Sequence, residues 1–256
     1  SLLKKIKTFR INLYNDKELN LNGRKTGLGS SATSTVSAVA SILKLHDISD
    51  ISLVHKISLY SHYKAQGSGS GFDVSAACYG SHFFYSGQFD FEKSFEEFMH
   101  EKYSYRMDKI KWLSELIPVL AFTGKSASTK EFVSKVLQFK AKEPEKYFEF
   151  MKSYNKINLE AKKAFDCKDI ERIKYYLEKS WKKRKELGKL ADAEIESEEY
   201  TKLINEMKTN GAFTAGLIGA GGGDSIIAFC INKMEKERLI GFLKGKSINM
   251  MEVPIK

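Results

Sequence analysis

An α+β fold in two halves is what this sequence predicts, and three observations carry it. A glycine-serine loop runs straight into a stretch with helical apolar spacing, "GLGSSATSTVSAVASILKL", Gly27 to Leu45. Strand-like apolar runs, "LIPVLAF", "AFTAGLIGAG" and "SIIAFCI", lie scattered through the second half. Long charged stretches with helical periodicity separate them, a mixture that belongs to neither an all-α nor an all-β chain.

Taken in order, "SLLKKIKTFRINLYN" opens the chain, and its alternating Phe9, Ile11 and Leu13 predict a half-buried strand. In the glycine loop, Gly27 and Gly29 permit backbone shapes and close approaches that a β-carbon would forbid, and Ser30 and Ser31 add hydroxyls. From Ala32, the residues Val36, Val39, Ala40, Leu43 and Leu45 recur at helical spacing with no Gly or Pro between them, so a helix starts at the loop. Its unpaired N–H groups and positive dipole end favour phosphate. A second helix follows over "DISDISLVHKISLYSHY", marked by Ile51, Val54, Ile57 and Leu59. Asp73 comes just after Gly69-Ser70-Gly71, on a loop able to bring a carboxylate to a ligand or to cap the helix of "VSAACYG".

The second half starts with the strand-like "LIPVLAF" and continues into "SASTKEF", where Ser128 and Glu131 form a capping box ahead of Phe132, Val133, Val136 and Leu137. Lys125, Ser126 and Thr129 gather at that helix start, a plausible second anion site as well as a cap. Helical stretches run through Lys189, another helix spans Ser197 to Met207 and stops at Asn210-Gly211, and two strands flank a turn with Gly219, Gly221, Gly222 and Gly223. A further helix and a strand-like "INMMEVPI" end the chain. The expected division is residues 1–89 for a nucleotide-handling half and 90–256 for the second.

Three nucleotide-loop readings compete in this chain. The letters of Gly27 to Ala32 fit the dinucleotide fingerprint, but that motif needs a buried strand before it and an acid-ended strand after its helix, where this chain has the polar "NDKELNLNGRK" and a second helix. A P-loop fails at Gly124-Lys125-Ser126, because the position five before Gly124 is Val119.

Composition narrows the classes further. Net charge is +10, yet the lysines are spread among acids. The dense cluster Lys182 to Lys185 reads as the solvated face of a helix whose opposite stripe is Ile170, Ile173, Leu177 and Trp181, which points away from nucleic acid. No apolar run has the length of a membrane span. Cys78, Cys167 and Cys230 lack metal-site spacing and read as buried fillers in a reducing, cytoplasmic setting.

The remaining loop type is carried by three motifs together: "KTGLGSSA", "HYKAQGSGSGFDVSAACYGS" from His62 to Ser81, and "TAGLIGAGGGDSIIAFC" from Thr214 to Cys230. The chain resembles the GHMP kinase superfamily of small-molecule kinases on these residues. "AQG…SGFDV…YGS" and "TGKSASTKEFVSKV" make it similar, within the superfamily, to phosphomevalonate kinases of the fungal, plant and bacterial type. The resemblance implies a GHMP kinase fold, with a ribosomal-protein-S5-like N-terminal domain and a ferredoxin-like C-terminal one. Family members open with a strand and a "PGK"-like segment carrying a lysine near the transferred phosphate, and nothing like it precedes Arg24, so the resemblance implies that an N-terminal portion is missing.

What the resemblance implies for the site is specific. ATP is expected on Lys25, Gly27, Leu28, Gly29, Ser30, Ser31 and Ala32, with the Ser31 hydroxyl as a ligand of Mg2+. Relatives often add a glutamate ligand where this chain has His62; a neutral imidazole suits magnesium poorly, so His62 is read as structural or substrate-facing. Asp73 is the expected catalytic residue, acting as base or orienting the acceptor. Phosphomevalonate is expected on His62, Gln66, Ser70, Lys125, Ser126, Ser128, Thr129, Ala220, Gly221 and Gly222. The implied enzyme converts 5-phosphomevalonate to 5-diphosphomevalonate as a monomer or homodimer. Mevalonate kinase, another superfamily kinase and a non-catalytic ligand-binding relic remain the alternatives.

Overall fold

Most helices of this protein start at a polar side chain that accepts a backbone N–H, and the two that start at a bare glycine are those of the expected site. The computed structural model describes residues 8–14, 20–21, 24–26, 28–67, 69–85, 89–103, 106–124, 129–222 and 225–253. Two-residue strands β1 (Asn20–Leu21) and β2 (Arg24–Lys25) come first. Helices α1 (Ser30–Leu45), α2 (Ile51–Gln66) and α3 (Phe72–Tyr79) follow, then β3 (His82–Tyr85), α4 (Phe95–His100) and β4 (Arg106–Lys109). The remainder runs β5 (Ile117–Phe122), α5 (Thr129–Lys142), α6 (Pro144–Asp166), α7 (Ile170–Leu190), α8 (Glu198–Thr209), β6 (Thr214–Leu217), β7 (Ser225–Cys230), α9 (Lys233–Gly245) and β8 (Asn249–Glu252). Two compact units emerge, one from Ser1–Asn20 and Leu28–Ile110, the other from Leu21–Gly27 and Lys111–Lys256.

In the first unit, α1, α2 and α3 pack on one another around Ala32, Val36, Leu43, Val54, Leu59 and Val74. Asp50 starts α2 by accepting from the amides of Ser52 and Leu53, at 2.9 and 3.2 Å, and Ser94 with Glu97 closes a reciprocal capping box on α4. Phe91 and Phe98 complete the core, and Tyr63 stacks on Phe91 with ring centroids 3.9 Å apart. The Lys56 ammonium donates to the carbonyls of Met99 and Glu101, at 2.7 and 2.6 Å, and so satisfies the end of α4. β3 and β4 pair antiparallel, His82 opposite Lys109.

His55 lies fully buried on α2, its Nε2 2.7 Å from Ser75 Oγ on α3. Ser75 Oγ also stands 3.0 Å from the carbonyl of Gly71 and donates to it. A hydroxyl has one proton, so Ser75 accepts from His55, which fixes the Nε2–H tautomer and ties α2 to the start of α3.

The second unit is built on a four-stranded antiparallel sheet of order β6-β7-β5-β8. The strand sequence β5, β6, β7, β8, with helices between β5 and β6 and between β7 and β8, makes this the βαββαβ arrangement of the ferredoxin-like fold, as expected. Four helices, α5 to α8, occupy the place of the first crossover. Val119, Leu217, Ile226 and Ala228 of the sheet pack against Ile204 and Met207 of α8 and Leu239 and Leu243 of α9. Phe139, Phe150, Leu187 and Ile195 form a separate core among α5, α6 and α7 and the loop after them. No helix among the described residues is long and apolar enough to cross a membrane.

Three expectations need correcting. The stretch with Phe9, Ile11 and Leu13 is not a strand: Phe9 and Leu13 are exposed, and among the described residues nothing pairs with it, so its alternation has no ladder to join. Cys167, at the C-terminal cap of α6, is exposed rather than a buried filler, whereas Cys230 is buried and Cys78 partly so. Of the cluster Lys182 to Lys185, only Lys182 is exposed; Lys183 lies over the Phe150 ring, Arg184 turns to the carbonyls after β6, and Lys185 bonds Glu196 and Thr201.

Two consequences follow for stability. A β-carbon on Gly216 would lie 2.2 Å from the indole of Trp181. Gly216→Ala should therefore destabilise the second unit by about 1–3 kcal/mol and lower its melting point by several degrees in calorimetry; an unchanged melting point would show that the ring gives way freely. Burial, and after it the neighbouring His82, depresses the His55 pKa from 6.5 to about 4. The unfolded chain then binds this proton more readily than the folded one, so the stability is complete above about pH 6.5 and is lost as pH falls toward 4. Urea unfolding across that window should lose roughly 3 kcal/mol more in the native protein than in His55→Gln, and parallel curves would clear His55 of the role.

Candidate active site

Helix α1 begins at Gly29, whose φ of 72° and ψ of 32° place it in the left-handed region, with no side chain capping the helix. Any other residue would be strained there, and a β-carbon at Gly29 would stand 3.8 Å from Cβ of Asp73. The first-turn amides of α1 therefore end close to Asp73 with no side-chain acceptor of their own. Thr33 donates its hydroxyl to the carbonyl of Gly29 at 3.1 Å, and Thr35 to that of Ser31 at 3.0 Å, which binds the acceptors of this turn and leaves its donors facing out.

Helix α3 starts in the same way. Gly71 has φ 77°, no side-chain cap, and no room for a β-carbon, which would fall 2.3 Å from Leu59 Cδ2. Asp73 sits inside the first turn rather than at the cap, with Oδ1 accepting from the Val74 amide at 2.9 Å. Its Oδ2 lies 4.0 Å from Nε2 of His62, a buried ring nitrogen with no hydrogen-bond partner among the described residues. Four residues further along α2, Gln66 Nε2 donates to Ser31 Oγ at 2.9 Å. The structure thus brings Gly29, Ser31, His62, Gln66 and Asp73 together in the first unit, with Leu28, Ser30 and Ala32 in the same turn and Ser70 exposed on the loop before α3.

Among the described residues, no group of three or more His, Cys, Asp or Glu side chains is placed to hold a metal. A hard divalent ion here would have the Ser31 hydroxyl as a protein oxygen ligand and take the rest from phosphate and water, a donor set that fits magnesium.

The glycine turn after β6 belongs to the second unit. Its Gly221 amide donates to the Ile218 carbonyl at 3.2 Å and its Gly222 amide to the Ile195 carbonyl at 2.7 Å. The amides of Gly219 and Ala220 are the turn's donors without a partner among the described residues. Arg184 holds the turn from beneath, its Nη1 donating to the Gly219 carbonyl at 2.8 Å and its Nη2 to that of Leu217. Trp181 packs under Gly216, and Ile195 under Gly221. Sequence reasoning placed Trp181 and Arg184 on a helix but missed that they support this turn; one signal available was a tryptophan and an arginine three residues apart on a lysine-rich helix. Ser225, opening β7, donates to the buried carbonyl of Thr26 at 2.6 Å and so fixes the residue before the glycine loop.

Gly27, Lys125, Ser126, Ser128 and Gly223 lie outside the described residues, as do the side chains of Lys25 and Thr129. Two surface grooves in the second unit, of about 600 Å³ along α7 and α8 and about 480 Å³ between α6 and α7, contain none of the expected site residues.

Comparison with known proteins identifies the family. The profile of the GHMP kinases N terminal domain matches residues 2–81 and that of the GHMP kinases C terminal domain residues 161–248, together well over half of the chain. The phosphomevalonate kinase of Saccharolobus solfataricus is 33% identical over 226 residues, 86% of this chain and 65% of that protein. The chain spans less than two-thirds of the length of the curated relatives it matches. Among solved structures, the Lin0012 protein of Listeria innocua superposes with a TM-score of 0.81 at 28% identity, over 91% of this chain and 68% of that one. The Streptococcus pneumoniae phosphomevalonate kinase in complex with phosphomevalonate and AMPPNP gives 0.74 at 20% identity, over 92% and 72%, a likeness of fold. Both matched profiles fall on the segments that carry the glycine loop, Asp73 and the glycine turn, and the chain belongs to the GHMP kinases.

Proposed function

We propose that this protein transfers the γ-phosphoryl group of ATP to the phosphate of 5-phosphomevalonate, giving ADP and 5-diphosphomevalonate. The observation that carries the reading is the uncapped, left-handed start of α1 at Gly29, set beside Asp73 and with Ser31 held by Gln66. The Saccharolobus solfataricus relative supports the choice of acceptor.

In this reading Lys25 to Ala32 form the nucleotide loop, and the amides of Gly29 to Ala32, with the positive end of α1, hold the phosphates of ATP. Ser31 would be the protein ligand of Mg2+, which would supply charge neutralisation on those phosphates. The acceptor is a phosphate monoester with a second pKa of about 6, already mostly a dianion at neutral pH, so removing a proton contributes little. Asp73 then orients the acceptor, with its Oδ1 pinned by the Val74 amide and its Oδ2 toward His62, and transfer relies on positioning and charge neutralisation. His62 and Ser70 line the acceptor's side of this cluster, and Gln66 holds Ser31. Lys125, Ser126, Ser128 and Thr129, at the start of α5, supply a second anion site for the acceptor's own phosphate. Ala220, Gly221 and Gly222 are the second unit's contribution in this reading, and among the described residues the Gly219 and Ala220 amides are that turn's donors without a partner.

ADP release by the full-length protein, followed with mevalonate, phosphomevalonate and diphosphomevalonate, tests the proposal directly. Phosphomevalonate should be preferred by at least a hundredfold in kcat/KM; preference for mevalonate would replace it with the mevalonate kinase reading, and no turnover with any of the three would favour a ligand-binding relic. Gly29→Val should abolish measurable ATP binding in calorimetry while leaving the circular dichroism spectrum unchanged, because the position needs positive φ. Lys125→Ala should raise the KM for phosphomevalonate about ten- to a hundredfold, the worth of one charge-assisted hydrogen bond, with the KM for ATP little changed. A rise in the ATP value instead would move that helix start to the nucleotide.

A further inference from the structure

Helix α2 carries His55, His62 and Gln66 along one strip of its surface, because spacings of seven and four residues return to the same side of a helix. The first two serve α3, through Ser75 and toward Asp73. Gln66 serves α1, its amide nitrogen 2.9 Å from the Ser31 hydroxyl. Other hydroxyls of α1 bond backwards along their own helix, Thr33 to Gly29, Thr35 to Ser31 and Ser41 to Ser37. Ser31 is gripped from a neighbouring helix.

A serine oxygen has two lone pairs and one proton. Once one lone pair accepts from the Gln66 amide, the proton and the second lone pair are left with two directions between them, and the hydroxyl loses the free rotation it would have in an exposed first turn. We propose that Gln66 is a positioning residue for Ser31: its amide aims the remaining lone pair of the Ser31 hydroxyl at the divalent cation bound with the nucleotide phosphates. This rests on the reading of Ser31 as that cation's ligand, and it gives Gln66 a different task from contact with the acceptor. Ligands held by an outer hydrogen bond typically lose ten- to a hundredfold in metal affinity when the bond is removed.

Gln66→Met keeps the length and volume of the side chain and removes the donor; Gln66→Ala is the second variant should methionine not be accommodated. The measurement is calorimetric binding of adenylyl-imidodiphosphate to the full-length protein across a magnesium titration, with the KM of the phosphorylated acceptor and the ligand-free melting point taken alongside. The magnesium concentration for half-maximal binding should rise about ten- to a hundredfold, with the metal-free affinity, acceptor KM and melting point unchanged. Ser31→Ala should give the same rise, and Ser31→Ala with Gln66→Met no more than either alone. If Ser31→Ala shifts the magnesium requirement and Gln66→Met does not, the positioning role is overturned while the ligand reading stands. If neither does, Ser31 is not the ligand and the reading beneath the inference fails. A raised acceptor KM at unchanged magnesium requirement would return Gln66 to the acceptor, and a lowered melting point with no metal effect would make it structural support only.

Discussion

Two helices of this protein begin at a glycine in the left-handed conformation with no side chain at the capping position, and the arrangement of the first unit depends on holding those two starts in place. Asp50, Ser94, Asp169, Ser197 and Asn232 cap α2, α4, α7, α8 and α9 by accepting N–H groups. Gly29 and Gly71 do nothing of the kind for α1 and α3. A glycine at the cap typically costs only a few tenths of a kcal/mol against Ser, Thr, Asn or Asp, and tertiary contacts add to the hold on both starts. α2 supplies them: Leu59 beneath Gly71, His55 through Ser75 to the Gly71 carbonyl, and Gln66 to Ser31. An oxyanion is the natural acceptor for the amides that remain.

The second unit applies the same logic to its glycine turn, with different materials. Arg184, half-buried, keeps its charge and directs it at two backbone carbonyls. Hydrogen bonds from a charged donor contribute about 1.5–3 kcal/mol each, so one side chain fixes both ends of the bend at Leu217 and Gly219. With Trp181 and Ile195 filling the space under Gly216 and Gly221, the turn is held in the shape its glycines allow.

Much of this was legible in the sequence wherever the cause is local. The glycine loop followed by an apolar run gave α1, Ser197 gave the start of α8, and the run "SIIAFCI" gave β7, because caps and periodicity act over a few residues. The alternation of Phe9, Ile11 and Leu13 misled, since a strand needs a partner that alternation does not reveal. Long-range partners were invisible for the same reason: His55 and Ser75 are twenty residues apart, Ser31 and Gln66 thirty-five, and Arg184 and Gly219 thirty-five. Arg184 in particular hid inside a lysine run that reads as a solvated face. The residues Ser31, Gln66, His62 and Asp73 were each nameable through resemblance, yet the bond that joins the first two came only from the fold.

The central claim is that the uncapped start of α1, beside Asp73, is where phosphate binds. Backbone amide chemical shifts of the full-length protein, followed during titration with magnesium and adenylyl-imidodiphosphate, test it without relying on turnover. The account predicts that the amides of Gly29 to Ala32 and of Phe72 to Val74 move most and saturate together. If those amides stay still while others move, for example along the groove between α6 and α7 lined by Lys156, Tyr176 and Lys182, the nucleotide site lies elsewhere and the account is wrong.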